Sequence, residues 1–146
     1  IKTISSRCLK KNIFLKNKET KLIINFLLKK NNIKYLIINK NNLSPGMFLC
    51  FNSLYLKYNI SENDHILDKI KNLLISYQKD KNKTLISLSL FLIDEYFLKL
   101  IKVNEKKLDY LLNIKSDINK NLSDFIHYNL NINSVLNSIE VKLNNV

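Results

Sequence analysis

NNIKYLIINKNNLSPGMFLCF, at residues 31–51, holds the only proline and the only glycine of the 146-residue chain, side by side at Pro45 and Gly46. Adjacent breakers of this kind predict a turn at Ser44-Pro45-Gly46. On either side stands a short apolar run, Lys34–Ile38 before the turn and Met47–Phe51 after it. Both are of strand length, so the reading predicts two short strands meeting through the turn. The chain as a whole then becomes mainly α with a small β element.

Upstream, KETKLIINFLLKK at 18–30 predicts a helix. Leu22, Ile23, Phe26 and Leu27 recur at helical spacing, and Lys29 and Lys30 suit the negative end of its dipole. Residues 1–17 read as a shorter basic helix with Ile4, Cys8 or Leu9, and Ile13 on its apolar side. Downstream, 53–62 is a mixed connection. Residues 63–78 form an amphipathic helix through Ile66, Ile70, Leu73 and Leu74, capped by Asn63 or Asp64. KDKNK at 79–83 is a polar break. Residues 84–103 are apolar almost all round, as in a helix buried between neighbours. Asp94, Glu95 and Lys99 interrupt that stretch, so no membrane span is expected.

The last segment has the most regular period. Leu111, Ile118, Phe125, Ile132, Ile139 and Val146 are spaced by seven, with Leu108, Lys115, Leu122, Asn129, Leu136 and Leu143 as a companion series. This is an a/d seam over about five heptads, with Lys115 and Asn129 as polar exceptions. One reading is a long C-terminal helix that docks a protein partner through Leu111, Ile118, Leu122, Phe125, Ile132, Leu136 and Ile139. The other is a helix broken near Asn129–Asn133 that folds back on the chain's own core. The many Asn and Ser residues and the unmatched flanking charges weigh toward the second. The expected organisation is a basic module at 1–52, a connection with one helix at 53–83, and a helical extension at 84–146.

Catalytic chemistry finds little to work with. His65 and His127 are the only histidines, and neither lies at ligand spacing from another His, Cys or carboxylate. One glycine cannot build a phosphate loop. Cys8 and Cys50 form no CxxC pair. A non-enzymatic protein with no metal and no cofactor is expected.

Charge is the feature that composition does not explain. Lys, Asn, Ile and Leu dominate, as an AT-rich genome dictates, and the chain carries a net +12. Residues 1–52 hold 11 basic residues and a single acid, Glu19, a net of +10. Residues 53–146 hold 13 lysines and 11 acids, a net of +2. Genomic bias enriches lysine everywhere, yet it does not strip acids from one third alone. Such a field suits a polyanion: RNA, another nucleic acid or an anionic membrane.

The order of parts in 1–52 resembles the S-four type RNA-binding domain, the helix–loop–strand module of a bacterial-type ribosomal small-subunit protein. Lys16-Asn17-Lys18-Glu19-Thr20-Lys21 stands where that family's basic helix begins, and Leu22–Lys30 is its apolar helix. Asn31-Asn32-Ile33-Lys34 fits the family's Asn-Gly-Lys loop, and Leu43-Ser44-Pro45-Gly46-Met47 fits its Pro-Gly-Asp turn before a last strand. Ile33 replaces the loop glycine and Met47 the aspartate. The resemblance covers about a third of the chain. It implies RNA binding through Arg7, Lys10, Lys11, Lys16, Asn17, Lys18, Lys21, Lys29, Lys30, Asn32 and Lys34, with phosphates as the main contacts. Asn31 and Tyr35 are lesser candidates. Together with the small basic chain and its AT-rich composition, it implies a small-subunit protein of a mitochondrial ribosome, with rRNA and neighbouring ribosomal proteins as partners.

Overall fold

A computed structural model describes residues 15–33, 43–61 and 63–144. Of these, 83% are helical and none is in a strand. The helices are α1 (Asn17–Lys30), α2 (Pro45–Lys57), α3 (Ile66–Asp80), α4 (Lys83–Val103), α5 (Leu108–Tyr128) and α6 (Ile132–Asn144). A 3₁₀ turn at Glu105–Lys107 joins α4 to α5. The chain divides into two compact units, Ile1–Ser53 and Leu54–Val146.

This overturns the expected β element and with it the helix–loop–strand module. Met47–Phe51 is not a strand but the interior of α2. Ser44 and Pro45 begin that helix instead of turning a hairpin. The Ser44 hydroxyl accepts a hydrogen bond from the Met47 N–H at 3.3 Å. Pro45 takes the first helical position, where its missing N–H costs nothing and its fixed φ suits the helix. The buried residues Phe48, Phe51, Asn52 and Tyr55 follow the i, i+3, i+4, i+7 spacing of one helix face. That pattern runs straight through the point where the strand was expected to end. The other expected strand, Lys34–Ile38, and most of the basic segment 1–17 lie outside the described residues.

Helix ends explain how a chain with one glycine stops its helices. Positive φ falls on Asn32, Asn59, Lys81 and Asn129. After glycine, asparagine tolerates the left-handed region best. At the end of α1, Asn32 N–H donates to Lys29 O and Ile33 N–H to Leu28 O. At the end of α2, Asn59 N–H donates to Leu56 O and Ile60 N–H to Tyr55 O. Both are Schellman closures, with Asn in the place usually given to Gly and Ile following.

In the second unit, α3 packs on α4, α4 on α5, α5 on α6, and α6 returns to α3. The connections are short, which makes sequential neighbours antiparallel. The core is filled by Ile70, Leu73 and Leu74 from α3, and by Leu85, Leu88, Ile93 and Phe97 from α4. Leu111, Ile118, Leu122 and Phe125 come from α5, and Val135, Leu136, Ile139 and Leu143 from α6. Tyr77 and Phe125 meet with ring centroids 6.0 Å apart. The His65 ring, rather than Asn63 or Asp64, caps α3 by accepting from Leu67 N–H, and Asn82 caps α4 by accepting from Thr84 N–H.

The expected long C-terminal helix is two helices. Asn129, at φ 50°, ends α5, and the Asn131 carboxamide accepts from Asn133 N–H at the start of α6. Two cross-links bind the resulting hairpin: Asn121 Nδ2 donates to Ser138 Oγ at 2.8 Å, and Lys142 lies 3.7 Å from Asp117. Both pairs are symmetric about the turn at Asn129–Leu130, which fixes the antiparallel register. Lys115 and Asp94, at 2.7 Å, mark the same symmetry about the turn between α4 and α5.

Candidate RNA-binding face

Helix α1 carries the described part of the basic module. Glu19 reaches back to accept from the Lys16 N–H at 2.7 Å, closing the N-terminal turn. At the other end the Asn31 side chain donates to Leu27 O at 2.8 Å. One side of the helix is covered: Ile24 is fully buried, and Thr20, Ile23, Leu27 and Leu28 are half-buried. Projected at about 100° per residue, Lys18, Lys21, Leu22, Asn25, Phe26 and Lys29 share the opposite side, and all are exposed.

Of the residues expected to bind RNA, Lys16, Asn17, Lys18, Lys21, Lys29, Lys30 and Asn32 are exposed on α1 or its ends. Asn32 has a structural task as well, since it closes the helix in the left-handed conformation. Arg7, Lys10, Lys11 and Lys34 lie outside the described residues, as does Tyr35. Among the described residues, no acid lies within ion-pair distance of Lys16, Lys18, Lys21, Lys29 or Lys30. An open hollow lined by Leu15 to Glu19 leads onto the start of the helix.

Two residues of this face were expected on the covered side. Leu22 is 69% exposed and Phe26 is 63% exposed. The run LIINFLL is apolar around most of the helix, so periodicity alone does not choose which apolar side faces inward. The position of Lys18 and Lys29 on the stripe of Leu22 and Phe26 is the signal that could have chosen it.

The C-terminal seam is placed differently from a docking surface. Leu111, Ile118, Leu122, Phe125, Leu136 and Ile139 are buried, and Ile132 is half-buried. They form the inner face of the α5–α6 hairpin, so these side chains meet their own unit. The exposed apolar residues of this region are others. Leu98, Val103, Leu108 and Leu112 flank the turn between α4 and α5.

Among the described residues, no group of three His, Cys, Asp or Glu side chains is placed to hold a metal ion, and no helix is long and apolar enough to cross a membrane. His127 Nδ1 faces the backbone carbonyl and hydroxyl of Ser123, one helical turn earlier. No protein family, no curated protein and no solved structure matches the chain.

Proposed function

We propose that this chain is a non-catalytic RNA-binding protein that engages the phosphate backbone through the lysine face of α1 and the basic residues around it. The observation that carries this reading is the charge partition: a net +10 within 52 residues, with four exposed lysines on α1 and Lys16 just before it that no described acid neutralises. Unpaired lysines on one helix side release counterions when they meet phosphates, and this favours a polyanion at physiological salt. The proposal does not depend on a strand or on the helix–loop–strand module. A mitochondrial ribosomal small subunit, with its rRNA and neighbouring proteins, is the setting the sequence resemblance suggests, and it is the first complex in which to look.

Simultaneous Lys18→Glu, Lys21→Glu, Lys29→Glu and Lys30→Glu tests the proposal. These positions are exposed, so the fold should hold with a small loss of α1 stability, since acids at 29 and 30 oppose the helix dipole, while RNA affinity falls on the order of a hundredfold at ~0.1 M salt. The plot of log affinity against log salt should flatten by roughly 0.7 to 0.9 for each phosphate that is no longer neutralised. An unchanged slope removes the electrostatic reading.

A second reading is a helical interaction subunit that binds a protein through residues 84–146. The exposed Leu98, Val103, Leu108 and Leu112 favour it. Gradient fractionation of the tagged protein from its own cells separates the two. Co-migration with a ribosomal subunit and its rRNA supports the first reading, and a complex free of RNA supports the second.

A further inference from the structure

We infer that the α1 face takes unpaired rather than duplex RNA, with a base stacked on Phe26; this rests on the RNA-binding reading above. A face built only for phosphates needs cations and short polar groups. This one holds Phe26, 63% exposed, and Leu22, 69% exposed, one turn apart between Lys18 and Lys29. An aromatic ring left in water on a helix with one buried residue costs hydration without adding to the core. Its π-face suits any base, and stacking needs no particular sequence. Duplex RNA cannot offer a base there, because its bases are stacked inside and its deep groove excludes side chains. Unpaired loops and ends can splay a base out.

The spacing fits. From Lys18 to Lys29 the stripe runs about 16 Å at ~1.5 Å per residue. That is the length of about five stacked nucleotides at ~3.4 Å each. Lysines at both ends and Lys21 alongside hold the backbone while Phe26 meets a base near the middle, with Leu22 extending the apolar platform. An anionic bilayer would also accept lysines and apolar tips. Two exposed apolar side chains on a helix whose other side is covered give little area to insert, however, and membrane binding scales with buried apolar area.

The test uses the full chain with a 12-nucleotide single-stranded RNA and the same sequence as a perfect duplex. Phe26→Ala should weaken single-strand binding about five- to a hundredfold and duplex binding less than about twofold. Phe26→Tyr should retain most of the affinity. The chain has no tryptophan, so Phe26→Trp adds a single reporter. Its emission should be quenched by the single strand and unchanged by the duplex. Equal losses on both RNAs, or no quenching, would overturn the stacking assignment while leaving phosphate binding intact. A wild-type chain that binds neither RNA would overturn the parent reading. Sedimentation with phosphatidylserine vesicles that Phe26→Ala abolishes, with RNA binding unmoved, would give the face to a membrane.

Discussion

Lysine behaves differently in the two units. In the second, lysines meet acids: Lys57 lies 3.7 Å from Asp80, Lys115 2.7 Å from Asp94, and Lys142 3.7 Å from Asp117. The Tyr58 hydroxyl donates to Asp80 at 2.7 Å beside the first of these pairs. The Tyr58 side chain, and after it the Asp80 carboxylate, holds the Lys57 ammonium above its ordinary pKa. Helix α1 has four exposed lysines and one acid, and that acid is committed to the helix start. Lysine is plentiful in both units. Only the second also has the acids that turn lysine into a fastening, and the difference separates charge that serves the fold from charge that faces outward.

The largest expected effect lies in the core of the second unit. Leu122 is fully buried in α5, so Leu122→Ala should cost the second unit about 2–5 kcal/mol through lost transfer energy and a residual cavity. Urea unfolding followed by circular dichroism would measure it. Below the lowered melting temperature, RNA affinity should stay within about twofold. If Leu122→Ala weakens RNA binding as far as the four charge reversals do, the division of labour between the units is wrong.

Next in size is a substitution that separates helix from turn. Gly46 has negative φ, and a Cβ added there meets nothing within 4 Å. In a helix, Gly46→Ala should stabilise by up to about 1 kcal/mol, read as a raised melting temperature. A β-turn that needs glycine would lose stability instead.

Much of the helical region was legible because its residues obey one period. Ile66–Leu74, the apolar 84–103 stretch and the breaks at 79–83 and near Asn129 all follow from spacing and propensity. Residues 43–57 were not legible, for a physical reason. A five-residue apolar run such as Met47–Phe51 satisfies strand and helix alike, and only Asn52 and Tyr55 beyond it complete the helical face. Ser-Pro-Gly is ambiguous in the same way, since Ser then Pro begins a helix as readily as it enters a turn. The basic face was legible as charge, but the apolar period of LIINFLL leaves the inward side open, and only the stripe that Leu22 and Phe26 share with Lys18 and Lys29 points them outward.

A smaller effect concerns the helix stops. Lys81 sits at φ 51° and donates its N–H to Tyr77 O at the end of α3. Lysine lacks the local side-chain hydrogen bonding that eases asparagine into this conformation. Lys81→Gly should therefore stabilise by about 0.5–1 kcal/mol, measured by denaturant midpoint. Asn129→Gly should gain less. Equal gains would mean that asparagine is no better than lysine as this chain's substitute for glycine.

The smallest effect addresses the two polar residues that interrupt the seam. Asn129 is the turn itself. Lys115 is half-buried and ion-paired with a half-exposed Asp94 across the α4–α5 hairpin. A double-mutant cycle with Lys115→Met and Asp94→Asn should give a coupling of about 0.5 kcal/mol at low salt, since solvent screens a pair with this much exposure. The coupling should shrink further at ~1 M salt. A docking seam makes the opposite forecast for Lys115→Met alone: a longer apolar strip, and self-association that grows with concentration. Sedimentation velocity decides between them. A monomer with slightly lower stability keeps Lys115 as an internal fastening, and a new dimer would mean that the heptad pattern faces outward after all.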